Sequence, residues 1–156
     1  MFDALDLHRM AQRLHRAGLT MAPRALGKLI QFLYGSYIGV GAEIGEGTEL
    51  AYGGLGIVIH PASRLGRNVL VGPHVTVGGR SQSKGAPIVE DDVKIGAGAC
   101  LLGDIRIGRG ALIGANAVVT HDVPAHCVVA GVPAREIVRK RPEAPAAVHR
   151  SEAGGP

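Results

Sequence analysis

Aromatic residues are scarce in this chain of 156 residues, which has no tryptophan and only 3% aromatic residues overall. So little aromatic volume fits a thin core built from glycine, alanine, valine and isoleucine better than a thick one. No apolar run approaches the length of a membrane span, so a transmembrane helix is not expected. The two cysteines, Cys100 and Cys127, come without a secretory leader, and we expect a reduced, cytoplasmic protein.

Charge and metal ligands are limited as well. The formal net charge is +4, a modest excess that suits an anionic small molecule at least as well as nucleic acid. The basic residues form no face studded with aromatic side chains, so nucleic acid binding is not expected. No three histidines or cysteines stand at metal-ligand spacing, so no structural metal is expected.

A small aliphatic residue recurs at every sixth position through most of the chain. These residues are Ile38, Ile44, Leu50, Ile59, Leu65, Val71, Val77, Val89, Ile95, Leu101, Ile107, Ile113 and Val119. A glycine usually follows each of them, and a small or β-branched residue stands four positions after each. A period of six is neither that of a helix nor that of a simple hairpin. It is the hexapeptide pattern, in which three repeats form one triangular coil of a parallel β-helix.

The repeat predicts an all-β solenoid of about five coils between Ile38 and Gly131. The aliphatic residue is expected to point into the prism, with the residue four positions later also inward, near a corner. The adjacent glycine is expected to serve corners that need a positive φ. A glycine-rich β-sandwich is the alternative, but sandwiches place turn signals roughly every 8–12 residues and not at a strict period of six.

Three regions break the repeat and define the predicted organisation. Residues 1–35 have helical spacing, and we expect a helical cap over the open end of the solenoid, with surface histidines and an apolar stripe of Leu5, Leu7, Met10 and Leu14. This basic, amphipathic pair can also lie on a membrane surface, which is the less favoured interpretation. Residues 36–131 form the predicted β-helix, in which the polar excursion 79–87 is expected to replace one side of a coil. Residues 132–156 are expected to form a basic segment followed by a disordered tail.

Five segments carry a resemblance to a known family: 54–61, 75–79, 94–99, 113–119 and 130–135. In order and spacing they resemble the serine acetyltransferases of the hexapeptide-repeat acyltransferase superfamily, over about residues 37–140. The resemblance implies a left-handed β-helix, a homotrimer, and acetyl-CoA bound in the groove between neighbouring prisms. It also implies direct acetyl transfer to the hydroxyl of a small-molecule acceptor, L-serine or a serine-like compound. The closer similarity is to short members associated with polysaccharide or specialised pathways.

The resemblance also names candidate acetyl-CoA contacts. Gly78, Gly79, Ala97 and Ala115 match the family positions that line the pantetheine arm, and the last three are expected one coil apart, as a track of small residues. Ordinary corner residues of the repeat would look the same. Arg135 and Lys140 follow the last coil, where the family places the nucleotide end, and cations there would pair with its phosphates. A solvated basic tail is the alternative.

The family's catalytic groups are missing from this chain. Its Asp-His pair aligns with Ala51 and Tyr52, the Asp that orients this His aligns with Tyr37, and a further His aligns with Ala86. Acetyl transfer to a hydroxyl needs a general base near the alcohol, and histidine is the usual choice because its pKa lies near neutrality. The base is therefore expected at another histidine.

Two histidines are candidates for that base. His60 is expected in a stacked column with Gly78, Gly96 and Gly114, where a bulky titratable group breaks the repeat. His74 is expected on the side of the prism that holds Tyr52, one coil further on. Each has a structural alternative, at a corner or on the surface. Tyr52 is a candidate donor to substrate, since a phenol is a poor base near neutral pH.

Two other functions stay open from the sequence. The missing Asp-His pair makes a sugar or polysaccharide O-acetyltransferase the alternative enzyme. The alternative to an enzyme is a non-catalytic trimer that serves as a scaffold or regulator of a partner enzyme.

Overall fold

In a computed structural model, which describes residues 3–81 and 85–139, two helices precede a solenoid of short strands. Helix α1 spans Ala4–Arg16 and helix α2 spans Met21–Tyr34. Asp3 begins α1 as its N-cap, because its side chain accepts a hydrogen bond from the backbone N–H of Asp6 at 2.8 Å. Gly35 ends α2 in the left-handed conformation, with φ 63°.

The strands form three sheets that are the sides of a triangular prism. They are β1 (Tyr37–Ile38), β2 (Glu43–Ile44), β3 (Glu49–Leu50), β4 (Val58–Ile59), β5 (Arg64–Leu65), β6 (Leu70–Val71), β7 (Thr76–Gly78), β8 (Ile88–Val89), β9 (Lys94–Ile95), β10 (Cys100–Leu102), β11 (Arg106–Ile107), β12 (Leu112–Ile113), β13 (Val118–Val119), β14 (Cys127–Ala130) and β15 (Arg135–Arg139). Face A contains β1, β4, β7, β10 and β13; face B contains β2, β5, β8 and β11; face C contains β3, β6, β9, β12 and β14.

The strands of each face pair in parallel, coil upon coil, in a left-handed β-helix. Four coils have a strand on every side, and the fifth has β13, β14 and a single bridge at Val123. The predicted all-β solenoid of about five coils is therefore confirmed. Both predicted inward positions are buried: the aliphatic column except half-buried Ile44, and the small residues four positions later, such as Ala42, Ser63 and Ala99.

The glycines that follow the aliphatic residues are needed for a different reason from the predicted positive φ. None of these glycines has a positive φ. A Cβ built on Gly72 would stand 2.6 Å from the backbone N of Ala97, and one on Gly96 would stand 2.6 Å from that of Ala115. The close approach of the next coil therefore excludes a side chain here. Positive φ occurs two positions later, where Asn68, His74, Asp92, Asn116 and His126 lie.

The excursion 79–87 is inserted at a corner and does not replace a side of the coil. Val77 pairs with Ile59, three hexapeptides earlier in the chain, whereas Leu101 pairs with Val77, four hexapeptides earlier. The third coil is thus longer than the second by the length of one hexapeptide, and its three strands stay in register. Every vertical alignment across this coil shifts accordingly. The predicted alignments that assumed a coil of ordinary length here are wrong.

The helices close the first coil, although with a different apolar face from the one predicted for α1. Ala4, Leu5, Leu7, His8 and Ala11 are buried, whereas Met10 is 41% exposed. His8 was expected at the surface and is 1% exposed. Its Nε2 lies 3.2 Å from the carbonyl oxygen of Ala42, so the neutral ring can donate there. This hydrogen bond joins the cap to the solenoid together with those that Nε2 of Gln12 donates to the carbonyl oxygens of Ala42 and Val40.

The other end of the solenoid is covered by β15, which the sequence did not predict. It pairs antiparallel with β14, the last strand of face C. The strand thereby occupies an edge that a solenoid otherwise leaves open. Lys140, a predicted nucleotide contact, lies outside the described residues.

The buried histidine predicts a pH-dependent cap. Burial lowers the pKa of His8 from its ordinary value of 6.5, the hydrogen bond to Ala42 opposes this, and Arg9 adds to it. The unfolded chain therefore binds more protons below that value, and stability falls as pH falls through it. Thermal denaturation at about pH 7.5 and about pH 5.5 should show a smaller difference for His8→Gln, which keeps a donor but does not titrate. An equal difference in both proteins would contradict this assignment.

Candidate functional site

The predicted site residues lie at two different corners of the prism. Corner AB, where the chain passes from face A to face B, holds His60 and Gly79, with Gly78 at the end of β7. Corner CA, where it passes from face C to face A, holds Tyr52, His74, Ala97 and Ala115. The whole of face A separates these corners within one protomer. The structure therefore does not bring all of the predicted residues together in a single chain.

His60 is exposed at corner AB, directly after β4. Its backbone N–H donates to the carbonyl oxygen of Val77 at 2.8 Å, which fixes the residue beside Gly78 of the next coil. Beyond Gly78 the column continues with Leu102, not with Gly96 and Gly114 as predicted, because the third coil is longer. A Cβ built on Gly79 would stand 3.8 Å from Cδ2 and Nε2 of His60. That edge of the ring faces the start of the excursion.

The hydrogen bonding of the ring indicates its resting tautomer. Nδ1 of His60 accepts a hydrogen bond from the backbone N–H of Ala62 at 3.1 Å. The neutral ring then has its hydrogen on Nε2, the nitrogen beside Gly79. At rest His60 is a donor at this edge. It becomes a base there only if the ring releases Ala62 and exchanges tautomers, which its exposure permits.

His74 has a structural explanation for its position. It adopts φ 58°, and a Cβ built on Gly56 of the previous coil would overlap its ring. Asn116 packs in the same way over Gly98 at the same corner. Asparagine tolerates the left-handed conformation well, and histidine is among the residues enriched there. His74 therefore occupies a turn position of the repeat, with its ring lying along the corner.

Tyr52 follows β3 where three extra residues interrupt the period of six, between Leu50 and Ile59. The chain there forms a 3₁₀ turn over Ala51–Gly53, in which Tyr52 has φ 54° and ψ 36°. The side chain of Tyr52 is 82% exposed, so the turn presents it outward from corner CA. Of the other positions that align with family catalytic groups, Tyr37 is half exposed, whereas Ala86 is buried and presents no group. Among these positions, Tyr37 and Tyr52 are therefore the ones that expose a polar group, their phenol hydroxyl.

Small residues form a shelf along corner CA. The N–H of Gly98 donates to the carbonyl oxygen of Pro73 at 2.9 Å, and that of Asn116 to the carbonyl oxygen of Ala97 at 2.8 Å. Pro73, Ala97 and Ala115 therefore stand one coil apart in register, and we call these three residues the CA shelf. Gly79 was predicted to belong to this track and does not, because it lies at corner AB. Pro73 was missed, although counting four hexapeptides for the third coil would have revealed it.

Arg135 follows the last coil next to corner CA, where it pairs with Ala130 and where the register places Gly131 above Ala115. Arg135 is exposed at the start of β15, and its Nη1 donates to the carbonyl oxygen of Ala134 at 3.0 Å. No group of three His, Cys, Asp or Glu within residues 3–81 and 85–139 is arranged to hold a metal ion. The described site is therefore an exposed histidine corner and a separate shelf of small residues.

Such a prism, with small side chains along a corner, defines the class of hexapeptide-repeat transferases. Residues 86–121 match the family described as bacterial transferase hexapeptide (six repeats). The serine acetyltransferase of Bacillus licheniformis is 41% identical over 138 residues, which are 87% of this chain and 63% of the relative. That of Helicobacter pylori strain J99 is 38% identical over 140 residues, 88% of this chain and 81% of the relative.

Solved structures agree with these relatives. Serine acetyltransferase of Neisseria gonorrhoeae in complex with serine has a TM-score of 0.80 and 37% identity, covering 85% of this chain and 54% of that one. A serine acetyltransferase in complex with cysteine has a TM-score of 0.83 and 34% identity, covering 88% and 54%. The chain belongs to the serine acetyltransferase family. It spans 63% and 57% of the length of the first two relatives.

The surroundings of Gly56 at corner CA and of Gly27 in helix α2 predict opposite effects for substitution by alanine. Gly56→Ala should destabilise the fold by about 1–2 kcal/mol, because φ is +67° and the new Cβ would overlap the ring of His74. Gly27→Ala is the control, since a Cβ there meets nothing within 4 Å in the interior of α2. It should stabilise by about 0.5–1 kcal/mol. Chemical denaturation measures both, and an unchanged midpoint for Gly56→Ala would show that the corner is not constrained.

Proposed function

We propose that this protein is an acetyl-CoA-dependent O-acetyltransferase that acetylates the hydroxyl of L-serine or of a serine-like acceptor. The observation that carries the proposal is membership of the serine acetyltransferase family over nearly the whole β-helix, at 38% identity to a relative of which 81% is covered. The neighbour solved in complex with serine supports the choice of acceptor. The proposed location is cytoplasmic.

The proposed reaction is a direct transfer with His60 as the base. The acceptor hydroxyl gives its proton to His60, and its oxygen bonds to the carbonyl carbon of the thioester. The carbon–sulfur bond breaks, and the departing thiolate takes the proton from the imidazolium. No covalent acyl-enzyme is involved. The hydrogen bond from Ala62 to Nδ1 must break before the ring can accept this proton.

The CA shelf is the proposed binding site of the pantetheine arm of acetyl-CoA. Ala97 and Ala115 are exposed and end at Cβ, so the backbone beside them is accessible along two coils. An extended amide chain needs a smooth surface of that kind, with polar backbone groups at intervals. Gly78 and Gly79 would border the thioester at corner AB, beside His60. Arg135 and Lys140 are the proposed partners of the nucleotide phosphates.

We propose a homotrimer, which the separation of the two corners supports. His60 and the CA shelf lie at different corners of one prism, so one protomer alone does not unite them. In a threefold assembly, corner AB of one prism can face corner CA of its neighbour across a groove. Acetyl-CoA would bind in that groove. Tyr52, which lies at corner CA, would then approach the acceptor and donate to it or to the oxyanion.

A sugar hydroxyl is the second candidate acceptor. Ala51, Tyr52 and Ala86 replace the catalytic groups of the family, and Ala86 is buried. Because these replacements affect the catalytic groups, the identity of the acceptor is the part of the proposal that needs the most direct test.

The test is release of free CoA thiol from acetyl-CoA with L-serine and, in parallel, with a panel of sugars. We expect turnover with L-serine and a loss of roughly a hundredfold or more in kcat for His60→Ala. His74→Asn is the matched control, because asparagine suits the same turn and should leave kcat within about twofold. Full turnover by His60→Ala would exclude His60 as the base, and turnover with sugars alone would replace the acceptor.

A further inference from the structure

Helix α2 exposes an apolar stripe on the side away from the solenoid. Its exposed fractions are 73% for Met21, 41% for Leu29, 86% for Phe32 and 55% for Leu33. With Ala25, which is also exposed, these residues recur every three to four positions and so share one helical face. We call these five residues the outer stripe. Pro23 and Ile30, on the opposite face, are buried and attach the helix to the cap.

The surroundings of the outer stripe are basic. Arg24 and Lys28 lie four positions apart on α2, beside the stripe, and both are exposed. The sequence has no Asp or Glu between Asp6 and Glu43. The same stretch has five cations: Arg9, Arg13, Arg16, Arg24 and Lys28. The stripe is therefore an apolar surface with cations and no anions in its own segment.

A cavity opens on the basic side of the stripe. It has a volume of about 470 Å³ and lies between α1, α2 and the first coil. His15, Arg24 and Lys28 line it together with apolar residues, and no acidic side chain is among its lining residues. A phosphate group would meet cations there while an attached chain lay along apolar surface.

We propose that the outer stripe of α2 docks this protein on an anionic membrane surface. A helix with phenylalanine and leucine on one face and cations beside them lies in the plane of the bilayer interface, where both groups are satisfied. No helix among the described residues is long and apolar enough to cross a membrane, and docking requires none. Helix α2 would thus help to cap the solenoid with its buried face and contact the membrane with its outer stripe.

A second copy of this chain is the competing occupant, and charge disfavours it. A symmetric contact through the stripe would bring Arg24 and Lys28 of one copy towards those of the other. Since this segment has no carboxylate to neutralise them, such a contact would be repulsive. A lipid surface rich in phosphate supplies the missing charge. The inference does not depend on the acetyl-transfer reaction.

The test is co-sedimentation of the full chain with vesicles of phosphatidylglycerol and phosphatidylcholine in equal parts, and with vesicles of phosphatidylcholine alone. We expect binding to the anionic vesicles only, with a loss at high salt. Phe32→Ser should weaken the partition coefficient roughly tenfold through lost apolar burial. Lys28→Glu should weaken it at least about fivefold, since each cation near such a surface contributes about that factor.

Two matched control variants test whether binding depends on the outer stripe itself and not on any exposed apolar side chain or on net charge. Ile137→Ser removes an aliphatic side chain that is 64% exposed on β15, and Lys94→Glu makes the same charge change on β9. Both should bind like the parent. The proposal is overturned if no vesicles are bound, if neutral vesicles are bound equally, or if the controls fall as far as Phe32→Ser. It is also overturned if Phe32→Ser lowers the particle mass in light scattering while vesicle binding is unchanged.

Discussion

The close stacking of backbone upon backbone between successive coils is the constraint on which the rest of this structure depends. Strands of two to four residues pair in parallel with the coils above and below, and glycines beside the core column such as Gly72 and Gly96 leave no room for a Cβ. Because the register is fixed at every face, extra residues can leave the prism only at its corners. The 3₁₀ turn at Tyr52 and the excursion 79–87 both do so.

The corners consequently hold the residues of the proposed site. At corner AB, an exposed His60 stands where neighbouring coils have Gly39 and Gly78. At corner CA, the shelf of Pro73, Ala97 and Ala115 leaves backbone accessible beside small side chains. Face A separates the two within one chain, so the proposed reaction depends on a neighbouring prism. The helical cap, whose helix α2 ends against corner CA at Tyr34, adds a surface of different character, apolar and basic.

The sequence was sufficient for the fold, because a period of six that recurs through most of the chain has few physical solutions. It was insufficient for the site, because alignment across coils depends on where extra residues are placed. Assuming a coil of ordinary length through the excursion put Gly79 beside Ala97 and His60 above Gly96, and the longer third coil separates both pairs. His8 was misjudged because a histidine on an amphipathic helix gives no signal for a backbone acceptor, here Ala42, that is 34 residues away.

Complementation between two inactive chains tests most directly whether the site is shared between protomers. His60→Ala removes the proposed base at corner AB, and Ala97→Trp obstructs the shelf at corner CA, where the side chain is exposed and the fold can accept it. Each variant alone should lose acetyl transfer. Co-expressed, they should recover a measurable fraction of it, because some interfaces then join an intact corner AB of one chain with an intact corner CA of another. Mixed assemblies that form and yet stay inactive would contradict the account.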